Sequence, residues 1–494
     1  VTADCDLLII GGGPTGVTLA LIAAQAGASV IICEKEGDIF SLPRAAHIDH
    51  EVMRIFQSVG AADEIAKTCR TTERYDFLTR DGQILLRFDG SDRIGPGGWP
   101  GANMIHQPSL ERALRDRLAF QPGAKLRLGW RFVGMDTTEN GVSARFQTPE
   151  GDRHISAHYL VGADGTRSPV RQAAGLHLQD LGFDEPWLVV DALVQDASRL
   201  PTVNLQICDP ARPTTCVLMG AGRHRWEFML LPGETPEQVS ADAFVDKLLE
   251  PWNVKGAISI ERKAVYQFNA RVATTWRQGR VLLAGDAAHQ TPPFAGQGLC
   301  AGVRDAANLG WKIGQIISGR ASPNILDTYQ SERAPHALAT IQIAIMMGRT
   351  VCLTDPAAAA RRDQDMLAAR AAGQSPDGPP GSPPYESGVI LASSPAAGSY
   401  FPQLVSDQDG QKLDDRLGPR AWLIGRSVSA DLVANPGLRV IGLDEPGLCL
   451  FRAGLENWLA RHQAEAVIVR PDRYVFGTGP AEVLIRSWSD TQSA

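Results

Sequence analysis

The sequence predicts an α/β protein. A parallel sheet with flanking helices is interrupted by a β-rich insertion, continued by a helical segment and closed by a second, smaller α/β unit. Three observations carry this. Residues 6–34 run as apolar strand, glycine turn, helix and second apolar strand. Two later apolar runs, Tyr159–Val161 and Val281–Ala284, each end in a short acidic turn, and the strand-rich stretch 186–231 lies between them. After a Pro/Gly/Ser-rich run at 373–388 (GQSPDGPPGSPPYESG), strands and helices alternate again over 399–488.

Composition sets the frame. A chain of 494 residues has room for about three domain-sized units. Hydrophobic residues at 44% and charged residues at 21% are those of a globular protein, which excludes a disordered chain, a collagen and a coiled coil. With 48 Lys+Arg against 55 Asp+Glu the net charge is −7, which lacks the basic footprint of a nucleic-acid binder. The eight cysteines are scattered with no C-x-x-C pair, so zinc knuckles and dithiol redox motifs are not expected, nor is a metal, and a reducing compartment is. Leu7 to Cys33 carries no charge, long enough in principle to span a bilayer. Pro14, five glycines and the preceding Asp4 and Asp6 point instead to a buried βαβ unit, with no membrane partner and a cytoplasmic location.

Taken in order, Asp6–Ile10 reads as a buried strand, Thr15–Ala26 as a helix stopped by Gly27, and Ser29–Cys33 as the parallel partner strand. Residues 75–89 read as a hairpin turning at Asp81-Gly82. Ser109–Phe120 has helical spacing with Ser109 as its expected N-cap. Two or three strands fill 125–162, more strands fill 186–231, and Arg280–Ala284 is another buried strand. Long helices follow over Leu299–Ser318 and Ile325–Thr350.

The motifs come next. Gly11-Gly12-Gly13-Pro14-Thr15-Gly16 is a G-x-G-x-x-G match between a strand and a helix, and Glu34 closes the second strand 23 residues after Gly11. That context makes it a Rossmann-like dinucleotide fingerprint. Gly11 permits the turn, Gly13 lets a pyrophosphate approach, Gly16 lets helix and strand close up, and the helix N-terminus offers N–H groups to phosphate. A carboxylate at Glu34 accepts from ribose hydroxyls and repels a 2′-phosphate, so the bound ligand is expected to be FAD or NAD. Gly162-Ala163-Asp164-Gly165 and Gly285-Asp286 mark two more strand ends where a ligand sits. Pro292 to Ala301 (PPFAGQGLCA) is a glycine loop feeding a helix at Gly298, placed to aim N–H groups at an anion.

GGGPTG with Glu34, VGADGTRSPVR, and GRVLLAGDAAHQTPPFAGQGLCAGVRDAANLGWKI together resemble the class A, single-component FAD-dependent aromatic hydroxylases. The likeness is to the branch of 3-(3-hydroxyphenyl)propionate hydroxylase and phenol hydroxylase. It covers about residues 5–350, and the tail with RPDRYVFG resembles that branch's thioredoxin-like domain, here without redox cysteines. The resemblance implies a division into an FAD-binding domain (1–75, 101–180 and 276–372, the last with helices), a substrate-side insertion (76–100), a substrate-binding β-sheet domain (181–275), a linker (373–388) and the thioredoxin-like domain (389–494). It implies that FAD is bound through Gly11, Gly13, Pro14, Thr15, Gly16, Glu34, Lys35, Arg44, Gln107, Asp164, Gly285, Asp286, Pro293, Gly296, Gly298 and Leu299. NADPH or NADH binds transiently, and His289 falls where the family has a histidine associated with nicotinamide.

The resemblance further implies hydroxylation of a phenolic or phenolic-acid ring with O2 through a flavin C4a-hydroperoxide, by a homodimer. His47 and Pro293 are the candidate catalytic residues, with His50, Asp49 and His289 as rivals. Asp49-His50-Glu51 also reads as a helix start. Strand alternation suggests Leu205, Met219, Trp226 and Phe228, with His47 and Pro293, as substrate-pocket residues, and Arg223 or Arg225 as a receptor for a substrate carboxylate. On the same fold a polyketide-type hydroxylase, an epoxidase or a Baeyer–Villiger enzyme is the alternative, and a non-catalytic flavin-binding protein the alternative of a different class. The absence of W-x-W disfavours a halogenase, and the lack of cysteines five apart disfavours a disulfide reductase. The C-terminal unit is expected to cover the main domain or to make the dimer contact.

Overall fold

The computed structural model describes residues 3–40, 44–374, 383–426, 428 and 437–493; residues 375–382, in the expected linker, lie outside them. Three bodies of secondary structure can be told apart, and the first two meet at one large cavity.

The first is a parallel sheet. Cys5–Ile10 lies at its centre, flanked by Gly151–Gly162 and Val30–Glu34, with Val281–Leu283 and Ala124–Leu128 outside these. Leu7, Leu8 and Ile9 are fully buried, because both faces of this strand are covered and alternation gives way to a continuous apolar run. The helix Pro14–Gln25 packs across the helix Gly298–Ile317. The approach is close enough that a Cβ on Gly314 would stand 2.3 Å from the Cβ of Ala26, so glycine is required there. The charge-free stretch Leu7–Cys33 is thus strand, helix and strand inside the fold, and among the described residues no single helix is long and apolar enough to cross a membrane.

The second body is an eight-stranded sheet in the order His289–Gln290, Ile258–Ala273, Leu178–Val194, Arg223–Met229, Thr214–Met219, Asn204–Ile207, Arg74–Leu78 and Ile84–Asp89. It is antiparallel except where Asn204–Ile207 runs parallel to Arg74–Leu78. The hairpin expected at 75–89 therefore forms the edge of the sheet that contains 186–231.

The third body is the four-stranded C-terminal sheet, Leu438–Gly442, Ala421–Gly425, Ala466–Val469 and Val475–Gly479, with its first pair parallel and the rest antiparallel. One face of this sheet has a core of its own, where Trp422, Ile424, Val467 and Val469 pack with Phe451, Leu455 and Trp458, and the other face is shared with the first body. Ala421, Leu423, Ile468, Phe476 and Trp488 join the apolar cluster of the parallel sheet. Buried ion pairs also cross the boundary: Arg54 to Asp414 at 2.6 Å and Arg470 to Glu332 at 2.7 Å.

One local expectation is corrected. Ser109 is not an N-cap. The helix starts at Gln107, with His106 in the capping position and Pro108 in the first turn. Proline supplies the start signal here because it lacks the N–H that the first turn leaves unpaired. The Ser109 hydroxyl pairs with His106 Nδ1 at 2.8 Å.

Candidate active site

A cavity of about 1170 Å³ runs from the glycine turn after Cys5–Ile10, past the ends of the parallel strands, to the face of the antiparallel sheet. Ligands of open parallel sheets bind at this end of the strands.

Its first wall is mostly backbone. Gly11 has φ +110°, and a Cβ there would lie 2.3 Å from the carbonyl oxygen of Ala163. At Gly16 a Cβ would lie 2.0 Å from the Gly11 carbonyl. At Gly13 a Cβ would meet nothing within 4 Å. Gly11 and Gly16 are packing glycines, while Gly13 faces open cavity. Glu34 Oε2 accepts from Gly12 N–H at 2.7 Å, which pins the turn to the end of the second strand. Arg115 donates to the Gly12 carbonyl at 3.0 Å from the far side. The helix Pro14–Gln25 has Gly13 at its N-cap and no side-chain cap, so its first N–H groups are left for a ligand. The helix Gly298–Ile317 opens on the same cavity, also without a side-chain cap.

Further along, Gln107 Oε1 accepts from the backbone N–H of Arg44 at 3.0 Å and of Ala45 at 2.8 Å, fixing the segment that carries the Arg44 guanidinium. Asp164 Oδ2 accepts from Val170 N–H at 3.0 Å, while Oδ1 is buried without a hydrogen-bond partner. Burial pushes the Asp164 carboxyl above the ordinary carboxylate range. Asp286, Pro293, Gly296, Gly298 and Leu299 complete this wall. Lys35 reaches it from an exposed position. Gly16 and Gly285 are outside the lining and support it from behind. An uncapped helix start behind an open glycine, a carboxylate at the end of the second strand and an orphaned buried carboxylate oxygen fit a dinucleotide such as FAD.

The second wall is side chains. His47 Nδ1 lies 3.2 Å from the Gly296 carbonyl. A carbonyl only accepts, so Nδ1 carries the proton and Nε2 is the acceptor. Burial lowers the His47 pKa, which keeps the ring neutral at pH 7. The Tyr75 hydroxyl donates to the Phe294 carbonyl at 3.3 Å, receives from Gln206 Nε2, and Gln206 Oε1 takes the Thr215 hydroxyl at 2.7 Å. This chain ties the antiparallel sheet to the Pro293–Gly298 turn. Arg225 grips both oxygens of Asp191, at 2.6 and 3.2 Å, and donates to the Arg44 carbonyl at 2.8 Å. Arg262 adds a bond to Asp191 at 3.2 Å, and Glu227 lies 3.6 Å from Arg225. Burial lifts the Glu227 pKa and Arg225 offsets this only in part.

Several expectations about this wall do not hold. Leu205, Met219, Trp226 and Phe228 do not line the cavity. Leu205, Trp226 and Phe228 pack on the opposite face of the sheet with Val239, Val245 and Leu249. The pairing shows why: Leu205 is opposite Cys216 and Cys216 opposite Trp226, so these share a face, and Asn204, Thr215, Val217, Arg225 and Glu227 take the other. Alternation carried across a loop loses its phase, and an error of one residue exchanges the faces. Apart from Val217, the residues of these three strands that face the pocket are polar, and the larger apolar Leu205, Trp226 and Phe228 went to the core. Neither arginine awaits a carboxylate: Arg223 is engaged by Glu261 at 2.7 Å and Arg225 by Asp191. His289 is buried away from the cavity, its Nε2 2.6 Å from Asp305 Oδ2, which also takes the Gly285 N–H at 3.0 Å. It braces the strand end that carries Asp286. Asp49 caps the helix His50–Ser58 and pairs with Arg304 at 2.5 Å. Burial alone would raise the Asp49 pKa, but Arg304 outweighs it and holds the carboxyl well below the usual range. His50 Nδ1 accepts from Gly97 N–H at 3.2 Å. Among the described residues no cluster of His, Cys, Asp or Glu is built to hold a metal ion.

Residues 4–344 match the family model described as FAD binding domain. The chain belongs to this family. It is an FAD-dependent hydroxylase within it, alongside curated relatives that match it over nearly its whole length. One, a probable NADH-specific resorcinol 4-hydroxylase of Rhodococcus jostii (strain RHA1), is 37% identical over 96% of this chain and 91% of its own. Another, a 3-(3-hydroxy-phenyl)propionate/3-hydroxycinnamic acid hydroxylase of Burkholderia vietnamiensis, is 32% identical over 95% of this chain and 93% of its own. In fold the hydroxylase resembles the flavin-dependent monooxygenase PieE, solved with FAD and substrate, at TM-score 0.82 and 22% identity over 99% of this chain and 100% of that one.

Proposed function

We propose that this flavoprotein hydroxylates a small, uncharged phenol, with O2 as the oxygen source and NADH as the reductant. The observation that carries the proposal is the tautomer of His47. The Gly296 carbonyl commits Nδ1 to donating, so a neutral acceptor at Nε2 faces a cavity whose other end is built for a dinucleotide. A phenol O–H held at Nε2 gains electron density on its ring, which electrophilic hydroxylation needs. FAD held by these residues would carry electrons from the nicotinamide to O2, the chemistry the side chains themselves lack. The chain's own residues do the rest. Gly11, Gly13, Glu34, Arg44, Gln107, Asp164 and Asp286 hold and orient the coenzyme, and the Tyr75–Gln206–Thr215 chain holds the Pro293–Gly298 turn against it. Phe88, Phe294 and Met347 keep water from the ring.

The name of the Rhodococcus relative points to resorcinol and to NADH. Arg225 at the cavity wall supports an uncharged ring over a phenolic acid, since its guanidinium is already engaged by Asp191 and the Arg44 carbonyl. A cytoplasmic homodimer completes the reading, and light scattering of the holoenzyme tests the dimer. The reaction is tested by NADH oxidation and product analysis across resorcinol, phenol and 3-(3-hydroxyphenyl)propionate. Resorcinol should stimulate most and give a product one oxygen heavier. Faster turnover with the propionate would overturn the uncharged-substrate reading.

A further inference from the structure

We infer that Tyr474, in the C-terminal unit, is a positioning residue for the flavin-side wall of the cavity and acts through Glu51 and Arg304. The inference rests on the FAD-hydroxylase reading above.

Three distant segments meet in one hydrogen-bonded chain. Tyr474 Oη donates to Glu51 Oε1 at 2.9 Å, across 423 positions of sequence. Glu51 Oε2 takes Arg304 Nε at 2.7 Å. The other two guanidinium nitrogens of Arg304 reach Asp49 Oδ2 at 2.5 Å and Gln297 Oε1 at 3.2 Å. Tyr474, Glu51, Arg304 and Asp49 are exposed by 2, 3, 5 and 7%. Arg304, Asp49 and Gln297 line the cavity, whereas Tyr474 and Glu51 stand behind that lining. Gln297 lies between Gly296, whose carbonyl fixes the His47 tautomer, and Gly298, where the second uncapped helix begins.

Charge explains the need for the tyrosine. One buried guanidinium faces two acidic side chains, whose remaining oxygens out of water call for further hydrogen-bond donors. The Asp49 carboxylate finds them in the N–H groups of Glu51 and Val52. The Glu51 carboxylate takes one from Tyr474, which immediately precedes the C-terminal strand Val475–Gly479. The hydroxyl thereby fixes which way Glu51 holds Arg304, and Arg304 fixes Gln297 and Asp49 at the wall. The aromatic ring of Tyr474 contributes separately to packing, stacking on Tyr385 at a centroid distance of 4.1 Å. A phenylalanine keeps that stacking and removes only the hydroxyl, so packing and positioning are separable.

The test uses FAD-reconstituted full-length Tyr474→Phe, Glu51→Gln and the double variant. It reads the visible circular dichroism of bound flavin, the difference spectrum on adding resorcinol, and the product formed per NADH consumed. Each single variant should take up FAD like the wild type, with an altered flavin dichroism. Product per NADH should fall about threefold or more, the size expected when part of a hydrogen bond to a charged group is felt at the site. The double variant should be no worse than the more affected single, because both cut one chain. If Tyr474→Phe fails to fold, Glu51→Gln, which keeps its size, carries the same readouts. Wild-type dichroism and coupling in the variants, or effects that simply add, would overturn the inference. Wild-type protein that takes up no FAD would instead end the hydroxylase reading, and the inference with it.

Discussion

At the glycine end of the cavity the wall is made of main chain. Gly11 and Gly16 are pressed against carbonyls, Glu34 holds Gly12 through one carboxylate oxygen, and the helix that faces the cavity offers bare N–H groups. At the sheet end the wall is made of side chains. His47, Tyr75, Gln206, Thr215, Arg225 and Glu227 each sit in a hydrogen-bonded or ionic pairing that reaches across elements. The first end tolerates no added atom at Gly11 or Gly16 but asks little of side-chain chemistry. The second tolerates changes of size but depends on which atom donates and which accepts. A ligand common to a whole family suits the first construction, and a discriminated substrate suits the second.

This contrast can be broken by substitution. The largest effect belongs to Gly16→Ala, whose methyl would meet the Gly11 carbonyl at 2.0 Å. It should cost about 3 kcal/mol or more and abolish FAD uptake. Gly13→Ala, facing open space, should fold normally and only weaken FAD binding. Flavin content and melting temperature of the pair check this, and equal behaviour would erase the distinction between packing and ligand-facing glycines. Next is Asp191→Ala at the sheet end, which leaves Arg225 and Arg262 without their shared carboxylate. A loss of about 3–5 kcal/mol in urea unfolding is expected. Smaller still is His47→Gln, with kcat/KM down about 100-fold at unchanged FAD content. The wild-type acid limb should lie below pH 6.5, since burial lowers this pKa, and it should vanish in the variant.

The interface beneath the cavity gives a pH prediction. Burial opposes ionisation of Glu332, but Arg470 and Lys312 outweigh it and hold its pKa at about 2, against 4.5 when unperturbed. Below 4.5 the unfolded chain takes up the proton first, so stability present above pH 4.5 is lost as pH falls toward 2. Glu332→Gln should flatten that acid limb of the unfolding curve. The least effect is expected of Lys35→Ala, whose side chain is 57% exposed beside Glu36, with a change under about 0.5 kcal/mol.

The same contrast explains what the sequence disclosed. Glycine positions at a main-chain site are dictated locally, by a strand before and a helix after, so Gly11, Gly13, Gly16 and Glu34 were legible from residues 6–34 alone. The three strand ends at Ile10, Gly162 and Leu283 were legible for the same reason, as apolar runs cut off by turns. The sheet end was not. Which face of Thr214–Met219 meets the cavity depends on its register with Asn204–Ile207 and Arg223–Met229, and no local pattern carries phase across those turns. Trp226 and Phe228 were attractive as aromatic pocket walls, yet the burial of large apolar groups drew them into the core against the 236–249 helices. Tyr75, Arg304 and Tyr474 fell inside segments the sequence marked, but their roles did not show, since each acts through a partner more than 100 positions away. The Pro/Gly/Ser run at 373–388 lies well before the last sheet, whose first strand is Ala421–Gly425, and nothing in it told that one face of this sheet packs into the core of the first.

The most direct test of the account is reconstitution of the purified chain with FAD, followed by NADH oxidation under 18O2 with and without resorcinol. The account predicts a yellow protein whose NADH oxidation resorcinol accelerates, giving a hydroxylated product that carries one labelled oxygen. A colourless protein, or a yellow one whose NADH oxidation no phenol accelerates, would contradict it.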